Sequence, residues 1–113
     1  MTTIKEMAKA LQPETVALRR DLHAHPELGL QEFRTTKKIA SIMDRLGIPY
    51  RLTEPTGLIA DLRGTRAESG RCVLLRADID ALPVQEETGL PFASENPGVM
   101  HACGHDTHTA MLL

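Results

Sequence analysis

The chain has 113 residues, of which 42% are apolar and 25% charged, with a formal net charge of −2. Those proportions suit a globular domain with its own core. They exclude a nucleic-acid binder, because no Lys/Arg stripe is present, and a membrane span, because no apolar run is long enough. Two cysteines, Cys72 and Cys103, make no disulfide framework. The opening MTTIKEMAKALQPE is charged at Lys5, Glu6 and Lys9 and has no apolar core, so it is not a secretory signal and a cytoplasmic location is the default.

The stretch PETVALRRDLHAHPE predicts a helix. Pro13 suits a first helical turn, Glu14 the positive end of the dipole, and Leu11, Leu18, Leu22 and His25 recur on one face. Pro26 should end it. QEFRTTKKIASIMDRLG predicts a second helix, with Phe33, Thr36, Ala40 and Met43 on one stripe and Ile39 and Leu46 beside it. Gly47 is placed as its left-handed cap and Pro49 blocks continuation. PYRLT and TGLIADLRG read as strands, and TRAESG as a polar turn. RCVLLRADID carries the continuously apolar run Cys72–Leu75, the pattern of a central strand buried on both faces. Residues 81–100, rich in Pro and Gly, predict a long irregular segment. DTHTAMLL predicts the start of a helix with Asp106 or Thr107 at its N-cap.

Helix, helix, strand, strand, strand, loop, helix implies an α/β domain, a sheet covered by helices. Chemistry in such sheets sits beyond the carboxyl ends of strands, where RCVLLRADID delivers Asp78 and Asp80. Residues at alternate positions share a side, so this pair can bind a cation, orient a histidine or share a proton. An acidic turn paired to Arg76 explains the same residues equally well. Cys103-Gly104-His105 offers a thiolate and an imidazole two residues apart, a donor pair that zinc-like ions accept. A turn with a buried cysteine and a partly exposed histidine is the plainer alternative. His101 and His108 could add ligands or support them. His23 and His25 fit a helix C-terminus, which favours imidazole, and Glu86-Glu87 reads as a solvated loop. No phosphate-binding loop, nucleophile elbow or His-Glu-x-x-His pattern is present.

LRRDLHAHPELGLQE, GLIADLRG, LLRADIDALPVQEETGLPFAS and PGVMHACGHDTHTAMLL, in this order, resemble the N-terminal part of the metal-dependent amidohydrolases of the aminoacylase and carboxypeptidase clan. The nearest subgroup contains hippurate hydrolase, N-acyl-amino-acid amidohydrolases and the hydrolases of auxin conjugates. The resemblance runs from about Leu18 to Leu113 and rests most on RADIDALP and HACGHD.

This resemblance implies an N-terminal portion, residues 1–113 with no internal boundary, of a zinc-peptidase-like catalytic domain, its central sheet flanked by helices and its lid domain lying elsewhere. It implies hydrolysis of N-acyl amino acids, small-molecule amides, by a centre of two divalent ions (Zn, Mn, Co or Ni) in a longer parent, whose oligomeric state, homo-oligomer or monomer, stays open because in the family the lid domain commonly makes the dimer contact. Cys103 and His105 match two of five protein ligands, with Cys103 bridging. Asp80 matches the aspartate that orients the site, Asp78 a supporting residue, and His101, Asp106 and His108 the surrounding motif. The general base belongs to a Glu-Glu pair downstream, distinct from Glu86-Glu87, so the 113 residues alone are expected to be inactive. Two other classes compete: a non-catalytic binding or scaffold domain of the same fold, and a thiol protein acting through Cys103.

Overall fold

The computed structural model describes residues 1–66 and 69–113; the polar turn expected over 65–70 lies partly outside them. Among the described residues three helices and one hairpin form: α1 (Ile4–Ala24), α2 (Phe33–Leu46), β1 (Tyr50–Leu52), β2 (Leu58–Ala60) and α3 (His105–Leu112). It is an α/β arrangement, with α1 packed on α3 and α2 on the hairpin.

Helix α1 starts well before Pro13. Thr3 and Glu6 form a reciprocal capping box: the Thr3 N–H donates to Glu6 Oε2 at 2.8 Å and the Glu6 N–H to Thr3 Oγ1 at 3.2 Å. Two satisfied donors start the helix early, so Pro13 sits inside it, at the cost of one backbone hydrogen bond. The predicted stop holds, with His25 as C-cap before buried Pro26. Only the last turn of α1 is deeply buried, at Leu22, His23 and Ala24; Leu11 stays exposed.

Helix α2 ends as expected, with Gly47 left-handed at φ 68°. Its buried face is Thr35, Thr36, Ile39, Ile42 and Met43. Phe33 and Leu46, placed on the stripe by spacing, are exposed. The shift follows from a cap supplied at a distance. The Glu27 carboxylate accepts from the N–H groups of Arg34 at 2.9 Å and Thr35 at 2.7 Å, and from Thr35 Oγ1 at 2.7 Å. That anchor turns Thr35 inward.

β1 and β2 pair antiparallel, Tyr50 opposite Ala60 and Leu52 opposite Leu58. The third predicted strand does not form. Residues 71–80 have no ladder partner, and Val73, Leu74 and Leu75 are 83%, 85% and 70% exposed. Cys72 is exposed as well. A central strand needs neighbours on both edges and covers on both faces, and the described residues supply none along 71–77. Pairing begins only at its end, where Leu28 bridges Ala81 in parallel and the Ala81 N–H donates to the Glu27 carbonyl at 2.8 Å. Residues 81–100 are irregular, as expected, and pinned by the Leu82–Met100 bridge. Among the described residues no helix is long and apolar enough to cross a membrane.

Candidate metal centre

The Leu28–Ala81 bridge fixes the chain beside Asp80, and the PELG loop crosses close to it: a Cβ on Gly29 would lie 3.9 Å from that of Asp80. From there Asp80 meets α3. His105 Nδ1 lies 2.9 Å from Asp80 Oδ1 and 3.1 Å from the Asp80 carbonyl. Both oxygens accept, so Nδ1 carries the proton and Nε2 presents its lone pair. Asp78 Oδ2 stands 3.9 Å from that Nε2. Its other oxygen takes Arg76 Nη2 at 2.7 Å, the pairing weighed as the plain alternative. Thr109 Oγ1 donates to the Asp78 carbonyl at 3.0 Å, tying α3 to the same stretch.

Cys103 is a free, exposed thiol, not the buried cysteine of the plainer reading. Gly104 follows at φ 105°, a conformation that L-residues rarely adopt. It is the N-cap of α3, in place of the predicted Asp106 or Thr107, and no side chain caps the helix. His108 is exposed, its ring 6.4 Å from that of His105.

Asp106 fails to cap because it is drawn into a long-range network. It is 1% exposed, and its Oδ2 accepts from His23 Nδ1 at 2.7 Å and Arg19 Nε at 2.9 Å. His23 Nε2 lies 3.0 and 3.1 Å from the two oxygens of Glu86. Glu86 accepts also from the Ser94 N–H at 2.8 Å and from the Thr88 hydroxyl. Burial pushes its carboxyl upward, but the Thr88 and Ser94 bonds and His23 outweigh that and hold it below the ordinary value. The expectation of a solvated Glu86 and a merely end-of-helix His23 is therefore corrected. The side chains of both are buried and joined, while Glu87 is exposed. Sequence reasoning missed Arg19, His23 and Glu86. The available signal was Arg19 and His23 four apart on the face that buries Leu22.

His101 is 5% exposed, its ring 6.5 Å from His23, and neither ring nitrogen meets a partner among the described residues. Burial pushes its pKa below the ordinary value, and the pull of Asp106 upward is smaller.

A carboxylate on Nδ1 and a free Nε2 is how metal-bound histidines are oriented, and the adjacent thiol suits a borderline-soft ion. The residues therefore fit part of a metal site. Among the described residues no group of three or more His, Cys, Asp or Glu gathers to hold an ion, so Cys103 and His105 amount to an incomplete donor set.

Comparison with known proteins agrees with this chemistry. Residues 74–113 match peptidase family M20/M25/M40. An N-acyl-L-amino acid amidohydrolase of Geobacillus stearothermophilus is 48% identical over 97% of this chain and 30% of its own. An N-acetylcysteine deacetylase of Bacillus subtilis is 51% identical over 93% of this chain and 28% of its own. A crystal structure from Bacillus subtilis, described as a dinuclear metal binding peptidase from the M20 family, superposes with a TM-score of 0.81 at 51% identity, covering 90% of this chain and 29% of that one. The resemblance to the M20 metallohydrolases thus extends over nearly the whole chain, which spans about 30% of the length of the curated relatives it matches.

Proposed function

We propose that residues 1–113 form a portion of the catalytic domain of a metal-dependent amidohydrolase acting on N-acyl amino acids, and that Cys103 and His105 are its contribution to a two-metal centre. The observation that carries the reading is the Asp80–His105 pair at 2.9 Å, which sets the imidazole with Nε2 free beside the Cys103 turn. The M20 relatives support two ions in place of one.

Each residue has a defined task. Asp80 holds the proton on His105 Nδ1 and so fixes the tautomer. Arg76 restrains Asp78, leaving one carboxylate oxygen toward Nε2. Gly104 lets the backbone turn between the two donors. Cys103, a free and exposed thiol, is open to a cation. Divalent ions held there would polarise a scissile carbonyl and lower the pKa of water. The general base and remaining ligands lie, on this reading, outside residues 1–113.

Cobalt(II) titration tests the ligand pair. A thiolate-to-cobalt absorption band should appear with the native chain and vanish in Cys103→Ala, and His105→Ala should weaken it at least tenfold. A band unchanged in both variants would refute the assignment.

A further inference from the structure

We infer that His23 is a positioning residue for the metal-binding turn: held between Glu86 and Asp106, it fixes the first turn of α3 and thereby the Cys103-Gly104-His105 segment. The inference rests on the proposed ligand pair for its functional meaning, but its structural content stands on geometry alone.

Helix α3 lacks any local device to set its start. Its N-cap is Gly104, with no side-chain cap hydrogen bond, and glycine permits many backbone orientations. The anchor comes from across the molecule. Asp106, next to His105, is held 2.7 Å from His23 Nδ1 on α1. His23 is 2% exposed and cannot follow α3 if it moves. Its far nitrogen is gripped by both Glu86 oxygens, and Glu86 is tied in turn to the Ser94 backbone. Phe92 closes the ring edge-on, with centroids 5.6 Å apart at 77°.

Three segments that are distant in sequence therefore meet on one imidazole. Carboxylates only accept hydrogen bonds, so a ring with an N–H on each nitrogen satisfies both. Charge-assisted bonds of this length are among the stronger ones. Arg19 also reaches Asp106, but its side chain is a third exposed, so that its bond is the weaker hold. Two further ties hold α3, His105 to Asp80 at its start and Thr109 to the Asp78 carbonyl one turn further along. Loss of His23 should thus free the start of α3 while its second turn stays attached, and displace His105 from Asp80.

Amide hydrogen exchange and NMR on the complete 113-residue chain test this. In His23→Ala, exchange of the amides at the start of α3 should quicken roughly tenfold to hundredfold, the loss expected for one charge-assisted bond, that to Asp106. The α2 amides should hold their native rates. Resonances of Cys103, Gly104 and His105 should move, including the His105 ring proton shared with Asp80. Glu86→Gln, which keeps the shape and weakens one side of the grip, should do the same to a smaller degree. It decides the matter if His23→Ala does not fold. A uniform rise in exchange across α1, α2 and α3, or no change in residues 103–105, would reduce His23 to general stability and overturn the inference. The cobalt band of the native chain, read separately, reports on the ligand pair. Its absence would count against Cys103 and His105 as ligands while leaving the exchange result to judge His23.

Discussion

Replacing Glu27 by alanine should destabilise the chain by about 3 kcal/mol. The carboxylate accepts three hydrogen bonds at the start of α2, from two backbone N–H groups and the Thr35 hydroxyl. The helix has no acidic residue in its own first turn and no side-chain bond from Glu32 at its N-cap, so nothing local replaces it. Loss of an N-cap acceptor costs about 0.5–2 kcal/mol. Loss of negative charge at the helix start costs about 0.3–1 more. Thr35 is 1% exposed, and its stranded hydroxyl adds about 1 kcal/mol. With an unfolding entropy near 2.1 cal/mol/K per residue, 3 kcal/mol corresponds to a melting point lower by roughly 12 °C. Urea unfolding followed by circular dichroism measures it, with Glu27→Gln expected to lose about 1 kcal/mol because one acceptor survives. A double-mutant cycle with Thr35→Ala should show coupling of about 1 kcal/mol. A loss below about 1 kcal/mol for Glu27→Ala, with the slope of the transition unchanged, would refute the claim that α2 is capped from a distance.

Asp106→Ala should cost about 3–5 kcal/mol, because it strands a buried charge partner, whereas Arg19→Ala, at a third exposed, should cost no more than about 1; thermal melts of the two variants separate them. Glu86 gives the acid limb of stability. Its folded pKa lies below the ordinary 4.5, so its contribution is complete above that value and is lost as pH falls through the lowered one. Glu86→Gln should flatten the pH dependence of the melting point in that window. The 113-residue chain with added zinc or manganese should release no amine from N-acetyl or N-benzoyl amino acids; turnover abolished by a chelator would contradict the incomplete donor set.

The parts of this fold legible in the sequence are those decided locally. Gly47 after an amphipathic run predicts its own cap, Pro26 stops α1, and the two short strands form within PYRLT and TGLIADLRG. The run Cys72–Leu75 shows the limit. Its composition is that of a buried strand, but burial requires neighbours that no local pattern reports, and in the described residues it is bare. The N-cap reading of Asp106 failed for a related reason. Its side chain does what capping would ask, accepting hydrogen bonds, but its donors are His23 and Arg19, more than 80 residues away. Thr3 and Glu6, three apart, carry the capping-box pattern in the sequence itself, ahead of Pro13. At the candidate centre, Asp80 near His105 follows from the motifs. The buried His23–Glu86 contact has no short-range signature at all.

Gly104 carries a last consequence. Its φ of 105° is a torsion of the opposite hand, yet a Cβ built on it would meet no atom within 4 Å. The demand for glycine is thus one of chirality and not of space. An L-alanine there would be strained by roughly 1 kcal/mol or more. A D-alanine installed by chemical synthesis would adopt that torsion without strain. By narrowing the unfolded chain it would stabilise the turn by about 0.4–1 kcal/mol. Between the two donors, only the mirror-image residue improves on glycine.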